Sequence, residues 1–198
     1  ADCTALVIAG SVVAGPTYPD GSALSPVEFV QRMYAAGAKG HLDAISYHPY
    51  QYTTSFSNSH QDELEYPIEQ LEMMRAIMVT NGDEDLKIWI SEYGEPTATV
   101  KISGHDTVLN EAQQARHIED LVRTWQGVAY AGPVFIYTTR DGDTGGVNVE
   151  GNFGLFYDDG TAKPAAAVLA GLVREFTPPK APANPVAEFF ERIVRAIS

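Results

Sequence analysis

The feature that most constrains the fold is a repeated alternation of short apolar runs with helical patterns. Four near-continuous apolar runs lie at residues 5–9, 43–47, 87–91 and 133–137. Such runs are typical of parallel strands that are covered on both faces. Helical patterns follow them at 25–37, 67–81, 110–129 and 164–176. This strand–helix repeat predicts an α/β fold with a parallel sheet and right-handed crossovers.

Two architectures satisfy that repeat: an open doubly wound sheet, or part of a (β/α)₈ barrel. A whole barrel needs about 250 residues and eight strands. Four strand–helix units account for nearly all of the 198 residues here. If the chain belongs to a barrel, these units therefore make up half of one.

The last residues differ in character from the repeat. Residues 177–185 are rich in proline and predict a stiff, extended linker. Residues 186–198 can form a short amphipathic helix, so the predicted organisation is a body at 1–176, the linker and this terminal helix. We expect no signal peptide within these residues, and no apolar run approaches the roughly 20 residues that span a bilayer.

Charge and composition narrow the classes of partner and cofactor. The formal net charge of −13 argues against nucleic acid and anionic membranes, whereas a neutral sugar is compatible with it. The five histidines show no metal-ligand spacing, and no phosphate-cradling Gly-Lys-Ser/Thr occurs. The segment that starts at Asp141 departs from a calcium loop at its fifth and twelfth positions, Gly145 and Asn152. No cofactor is therefore predicted.

Polar residues follow the predicted strands, at the ends where parallel α/β folds gather their functional groups. Gly10 and Ser11 follow the first strand, and His48-Pro-Tyr50 follows the second. Glu92 comes directly after the third strand, and Thr138 to Asp141 follow the fourth. A carboxylate held at a strand end can attack an anomeric carbon. On spacing alone, however, Glu92 can equally cap a helix or make a structural ion pair.

The segment 89–97, Trp-Ile-Ser-Glu-Tyr-Gly-Glu-Pro-Thr, resembles the seventh-strand motif of clan A glycoside hydrolases. Residues 43–50 resemble the sixth strand of that group, and residues 5–10 would be the fifth. Residues 135–141, 152–156 and 161–165 resemble the eighth strand and the approach to the last helix. The resemblance covers residues 1 to 176, is nearest to bacterial cellulase-like and xylosidase-like members, and implies strands five to eight of a TIM (β/α)₈ barrel.

The resemblance also implies a function. It predicts hydrolysis of β-linked glycosides with retention, in which Glu92 is the nucleophile. The acid/base Glu of such enzymes closes the fourth strand, which would precede Ala1. Glu95 stands where an aromatic residue is common. The residues expected to contact substrate are His48, Tyr50, Tyr137, Arg140, Asp141 and Glu95.

Several further expectations accompany this interpretation. The partners are a carbohydrate and either a missing N-terminal half-barrel or a second copy, and family habit favours an extracellular or cell-envelope location. Trp89 is expected in the core, and Arg140 is expected to pair with Asp141. The alternatives are a non-catalytic carbohydrate-binding half-barrel, a catalytically incomplete fragment, and an unrelated doubly wound domain in which Glu92 lies away from His48.

Overall fold

A computed structural model describes residues 5–52, 54–58, 67–102 and 105–177, and it contains a parallel sheet with helices. The strands are β1 Ile8–Val13, β2 Ala44–His48, β3 Lys87–Tyr93, β4 Thr99–Ile102, β5 His105–Val108 and β6 Ala131–Ile136. The helices are α1 Pro26–Ala35, α2 Pro67–Thr80, α3 Glu111–Gln126 and α4 Pro164–Phe176, with a 3₁₀ turn at Val149–Asn152. No described helix is long and apolar enough to cross a bilayer.

The main sheet has the strand order β1-β2-β3-β6, and every pairing in it is parallel. Its core-facing residues, among them Ile45 and Ile88, form one buried cluster with apolar residues of all four helices. The helices therefore lie on one face of the sheet. A doubly wound sheet carries helices on both faces and reverses its strand order. The described residues do neither, so that alternative was wrong.

The helices begin where the sequence places their caps. The Ser25 side chain accepts a hydrogen bond from the Glu28 backbone N–H, and Pro26 occupies the first turn of α1. Asn110 and Gln113 form a reciprocal capping box at the start of α3. The bounds of α4 agree with the prediction, and the residues predicted to share one face of α2 are buried there: Leu71, Met74 and Met78.

Three parts of the sheet structure differ from the prediction. Strand β3 runs beyond its predicted end at residue 91 and includes Glu92. Strand β1 is centred later than the predicted run 5–9, because Gly10 and Ser11 lie inside the strand rather than after it. Both have positive φ values, 98° and 75°, and the register with β2 shifts between Gly10 and Val12, as in a β-bulge. The antiparallel hairpin β4–β5 was not predicted at all. The linker and terminal helix predicted at 177–185 and 186–198 lie outside the described residues, apart from Thr177.

The face of the sheet opposite the helices is open in the described part of the chain. Phe135 lies on this open face with 51% of its surface exposed, and the Trp89 ring stacks on it at 6.3 Å between centroids. Trp89 is half-buried and is not a member of the core cluster. The expectation that Trp89 is a core residue was therefore wrong: alternation along β3 places Ile88 and Ile90 against the helices and Trp89 on the other side.

Candidate active site

Glu92 reaches the open face because β3 contains an irregularity. Ile90 and Tyr93 both pack in the core although three positions separate them, and the register with β6 shifts between them. Strict alternation would place Glu92 on the same side as Ile90. The extra residue instead leaves both Ser91 and Glu92 outside the core, where both side chains meet His48. The Glu92 side chain is 34% exposed, so it remains accessible to a ligand.

Two side chains from the carboxyl end of β2 hold this carboxylate. The Tyr50 hydroxyl donates to Oε1 of Glu92 at 2.6 Å. Nδ1 of His48 lies 3.4 Å from Oε2 of Glu92. The sequence prediction that these three residues meet at the end of the sheet is therefore matched by their placement. Hydrogen bonds of this kind fix the orientation of a carboxylate that would otherwise rotate freely.

The ionisation of both partners follows from their surroundings. Burial lowers the pKa of His48 below the ordinary imidazole value, and the Glu92 charge opposes that change only in part. Burial also raises the pKa of Tyr50, and the hydrogen bond to Glu92 raises it further. At neutral pH, Tyr50 is therefore an uncharged donor and His48 is mainly the neutral imidazole.

A row of hydroxyl groups extends from His48 across the open face of the sheet. Nε2 of His48 lies 2.8 Å from the Ser91 hydroxyl, which makes a short contact with the Ser46 hydroxyl of β2. The Ser11 hydroxyl of β1 lies 3.4 Å from that of Ser46. Ser91 precedes Glu92 in the sequence, but no role was predicted for Ser46 or Ser91.

Aromatic rings surround the Tyr50 side of the site. The buried Phe153 ring lies edge-on to Tyr50 at 6.1 Å and to Tyr137 at 5.4 Å, measured between centroids. Tyr137, which was predicted to contact substrate, is half-buried; it directly follows β6, and the peptide bond between it and Thr138 is cis. Burial raises the pKa of the neighbouring Tyr52 to about 12. These rings form an uncharged wall beside the carboxylate.

Arg140 and Asp141 are separated in the structure although they are adjacent in sequence. Arg140 is exposed at the end of the sheet, whereas Asp141 is 3% exposed. Asp141 pairs with the buried Lys163 at 2.8 Å, so the expected Arg140–Asp141 pair was wrong. The Lys163 ammonium also donates to Thr97 Oγ1 at 2.8 Å, and Asp141 accepts from the Gly154 N–H. This cluster joins the loops that follow β3 and β6.

Glu95 also points inward rather than toward the open face. It is 1% exposed, accepts from the Tyr93 hydroxyl at 3.2 Å, and lies 3.2 Å from Nδ1 of His117. Burial raises the pKa of the Glu95 carboxyl, and the contacts with His117 and Tyr93 oppose that rise only in part. Neither Glu95 nor Asp141 is brought together with Glu92, which leaves His48, Tyr50, Tyr137 and Arg140 as the predicted binding residues nearest the open end of the sheet.

Two groups of residues around Glu92 were assigned no role from the sequence. Phe153 and Lys163 lie in segments that carry the motif resemblance, but the sequence does not show their contacts with the Tyr50 ring and the Asp141 carboxylate. The serine row had a usable signal, because Ser46 and Ser91 interrupt otherwise apolar strands. In the described ranges, no group of three or more His, Cys, Asp or Glu side chains is placed to hold a metal ion.

Comparison with known proteins finds solved structures of similar fold but no match by sequence. No family model matches the chain, and no curated protein matches it either. A family 39 glycoside hydrolase from the gut symbiont Bacteroides cellulosilyticus WH2 aligns with a TM-score of 0.55 and 20% identity, over 75% of this chain and 30% of that chain. A GH5_18 from Bifidobacterium longum subsp. infantis aligns with a TM-score of 0.55 and 19% identity, over 83% of this chain and 36% of that chain.

A third similar structure is a GH128 endo-beta-1,3-glucanase from Sorangium cellulosum. Its TM-score is 0.50 at 14% identity, over 79% of this chain and 51% of that chain. The chain thus spans about a third to a half of the length of these three neighbours. At such identities the likeness concerns the fold alone. The chain has a parallel α/β fold of the kind found in glycoside hydrolases.

Proposed function

We propose that this chain is the C-terminal half, strands five to eight, of a TIM-barrel glycosidase that cleaves β-linked glycosides with retention. Strands β1, β2, β3 and β6 of this chain would then be the fifth, sixth, seventh and eighth strands of the barrel. Three observations support a half-barrel: the sequential parallel order of these strands, the helices on one face only, and the open opposite face. The complementary half would cover that open face and supply the remaining strands.

The observation that carries the proposal is the setting of Glu92. Its carboxylate lies at the carboxyl end of a barrel strand, is 34% exposed, and is held by Tyr50 and His48. A nucleophile must be accessible and must keep one orientation toward the reacting carbon. The motif resemblance of residues 89–97 assigns the same role to this glutamate.

The chemistry proceeds in two displacements. A Glu92 oxygen attacks the anomeric carbon and forms a glycosyl ester, while the bond to the leaving-group oxygen breaks and that oxygen takes a proton from an acid. Water then attacks the anomeric carbon, gives its proton to the same acid/base group, and releases Glu92 as a carboxylate. The Tyr50 donor steadies Glu92 before each displacement.

The proton donor is expected from the complementary half-barrel. Retaining enzymes place their two carboxyl groups about 5–5.5 Å apart. Tyr50 and His48, which hold Glu92, carry no carboxyl that could serve as the second group. Glu95 is the carboxyl nearest in sequence on the same strand end, but it is enclosed with Tyr93 and His117.

The test is covalent labelling with a panel of activated 2-fluoro glycosides, read by intact mass and peptide mapping. A good leaving group needs little help from an acid, so an absent acid/base does not mask the nucleophile. One adduct on Glu92, absent in Glu92→Gln and retained in the exposed control Glu84→Gln, is the expected result. A folded protein that forms no adduct with any sugar, or an adduct elsewhere, refutes the role of Glu92.

A second candidate function is carbohydrate binding without catalysis. It is favoured by the enclosure of Glu95, the carboxyl nearest to Glu92 in sequence, with Tyr93 and His117 away from the open face. Calorimetric titration with β-linked oligosaccharides separates the two candidates. Binding that survives in Glu92→Gln, together with a failure to form any adduct, supports the binding module over the hydrolase.

A further inference from the structure

The hydrogen-bond inventory around His48 determines where its hydrogen lies. The assignment of this hydrogen rests on the proposed function, in which Glu92 is an ionised nucleophile whose oxygens only accept hydrogen bonds. A neutral imidazole has one N–H donor and one acceptor nitrogen. Nδ1 faces the Glu92 carboxylate at 3.4 Å, and Nε2 faces the Ser91 hydroxyl at 2.8 Å. The hydrogen therefore belongs on Nδ1, because a lone pair there would face a negative charge.

The direction of the serine contacts follows from that assignment. With Nε2 as an acceptor, the Ser91 hydroxyl must donate its single hydrogen to the ring. Ser91 can then only accept from Ser46, so the Ser46 hydroxyl donates to Ser91. The Ser46 side chain is 3% exposed, which limits competition from water along the row.

We propose that Ser91 and Ser46 are positioning residues for the nucleophile: their hydroxyls donate in sequence toward Nε2 of His48 and hold its ring with Nδ1–H aimed at Glu92. Each serine comes from a strand rather than a loop, so the row is rigid. The other groups that face His48 are the Glu92 carboxylate from β3 and the Tyr50 ring, which lies edge-on at 6.4 Å. In this proposal Ser91 and Ser46 act through His48 rather than on the reacting atoms.

The opposite direction makes a different set of predictions. If Nε2–H donated to Ser91, the row would run away from the carboxylate, and His48 could face Glu92 only as a lone pair or as the charged imidazolium. Removing the Ser91 hydroxyl would then take an acceptor from the ring. The two directions therefore predict different tautomers of the neutral ring, with the hydrogen on Nδ1 in the first and on Nε2 in the second.

The experiment is a ¹⁵N NMR titration of the histidine side chains in the full chain, with the His48 signals identified by their loss in His48→Gln. In the unsubstituted protein the neutral ring is expected to show a pyrrole-type Nδ1 and a pyridine-type Nε2. Ser91→Ala removes the hydroxyl that donates to Nε2, so the fraction of the neutral ring with its hydrogen on Nδ1 is expected to fall. Ser91→Thr keeps a hydroxyl and should retain the original tautomer.

Two further variants test the row and the specificity of the effect. Ser46→Ala should shift the tautomer ratio in the same direction by less, because Ser91 still donates. Ser22→Ala, at an exposed serine that bonds to Asp20 away from His48, should leave the tautomer unchanged. A pyrrole-type Nε2 in the unsubstituted protein, or a tautomer ratio that does not change in Ser91→Ala, overturns the proposal.

Labelling by the 2-fluoro glycosides separates this proposal from the proposed function. If Glu92 is labelled but His48 carries its hydrogen on Nε2, the positioning role fails and the hydrolase stands. If His48 carries its hydrogen on Nδ1 but no adduct forms on Glu92, the serine row still positions His48 against the Glu92 carboxylate. The proposed hydrolase function is then refuted. If both hold, Ser91→Ala should slow labelling several-fold, and Ser91→Thr should restore it.

Discussion

Replacing Tyr50 with phenylalanine isolates the contribution of one hydrogen bond to the reactivity of Glu92. The change removes the hydroxyl that donates to Glu92 Oε1 at 2.6 Å. It keeps the ring, which stacks on Tyr93 at 6.5 Å and lies edge-on to Phe153 at 6.1 Å, measured between centroids. Packing, and hence the free energy of unfolding, is expected to change little.

The magnitude follows from the charge and the exposure of the carboxylate. A hydrogen bond to a charged group contributes about 1.5–3 kcal/mol. Glu92 is 34% exposed, so water replaces part of the lost donor and the lower end of the range applies. About 1.5 kcal/mol corresponds to roughly a tenfold decrease in the second-order rate constant for labelling by the preferred 2-fluoro glycoside. The assay is intact mass against time at several reagent concentrations.

Tyr34→Phe is the matched control, because the Tyr34 hydroxyl also donates to a carboxylate, that of Asp83, at 2.7 Å. This pair joins α1 to the loop after α2, away from Glu92. Its loss should lower the free energy of unfolding by about 1 kcal/mol and leave labelling unchanged. The reasoning is refuted if folded Tyr50→Phe is labelled within twofold of the unsubstituted rate, or if Tyr34→Phe is slowed as much.

Three other changes test the structure around the site, each by urea unfolding. Lys163→Met should lower the free energy of unfolding by about 3–5 kcal/mol because it leaves the Asp141 charge buried and unpaired, and adding Asp141→Asn should recover part of that loss; no recovery would argue against a charge effect. Gly94→Ala should cost at least about 3 kcal/mol, because its Cβ would lie 1.8 Å from the Tyr137 carbonyl oxygen; near-native stability would show that the two loops separate easily. The raised pKa of Glu95 means that its contribution to stability is complete below the pKa of the unfolded carboxyl and is lost as pH rises through the folded pKa. Glu95→Gln should therefore gain stability relative to the unsubstituted protein as pH rises from about 4 to 8, and parallel pH profiles would contradict this.

Much of the fold could be predicted because local signals determine it. Ser25 and Asn110 start helices by their own side chains, and the apolar faces of α2 and α3 follow the helical period. The order of strands and helices then implies a parallel sheet. The placement of Glu92, His48 and Tyr50 at one end of that sheet followed from the same order, since the carboxyl ends of parallel strands meet at one edge.

The sequence predictions were wrong where the structure depends on one inserted residue in a strand or on a contact between residues far apart in the sequence. Gly10 and Ser11 resembled the end of a strand, but a bulge keeps them within β1. No count of apolar residues shows that β3 also contains an irregularity that turns Glu92 away from the core. Asp141 pairs with a lysine 22 positions away rather than with the adjacent Arg140, and only the three-dimensional fold reveals this.

The stacked Trp89–Phe135 pair makes Trp89 an intrinsic fluorescent probe of the open face of the sheet. The chain has two tryptophans, and Trp125 is 2% exposed in the core, where its indole N–H donates to the Gly132 carbonyl. Trp89 alone of the two lies on the open face. The emission of Trp125 should therefore respond to unfolding, whereas that of Trp89 should shift to shorter wavelength when a polypeptide or a sugar displaces solvent from the sheet. In a Trp125→Phe background, a single fluorescence titration would then follow how the open face of the sheet becomes covered.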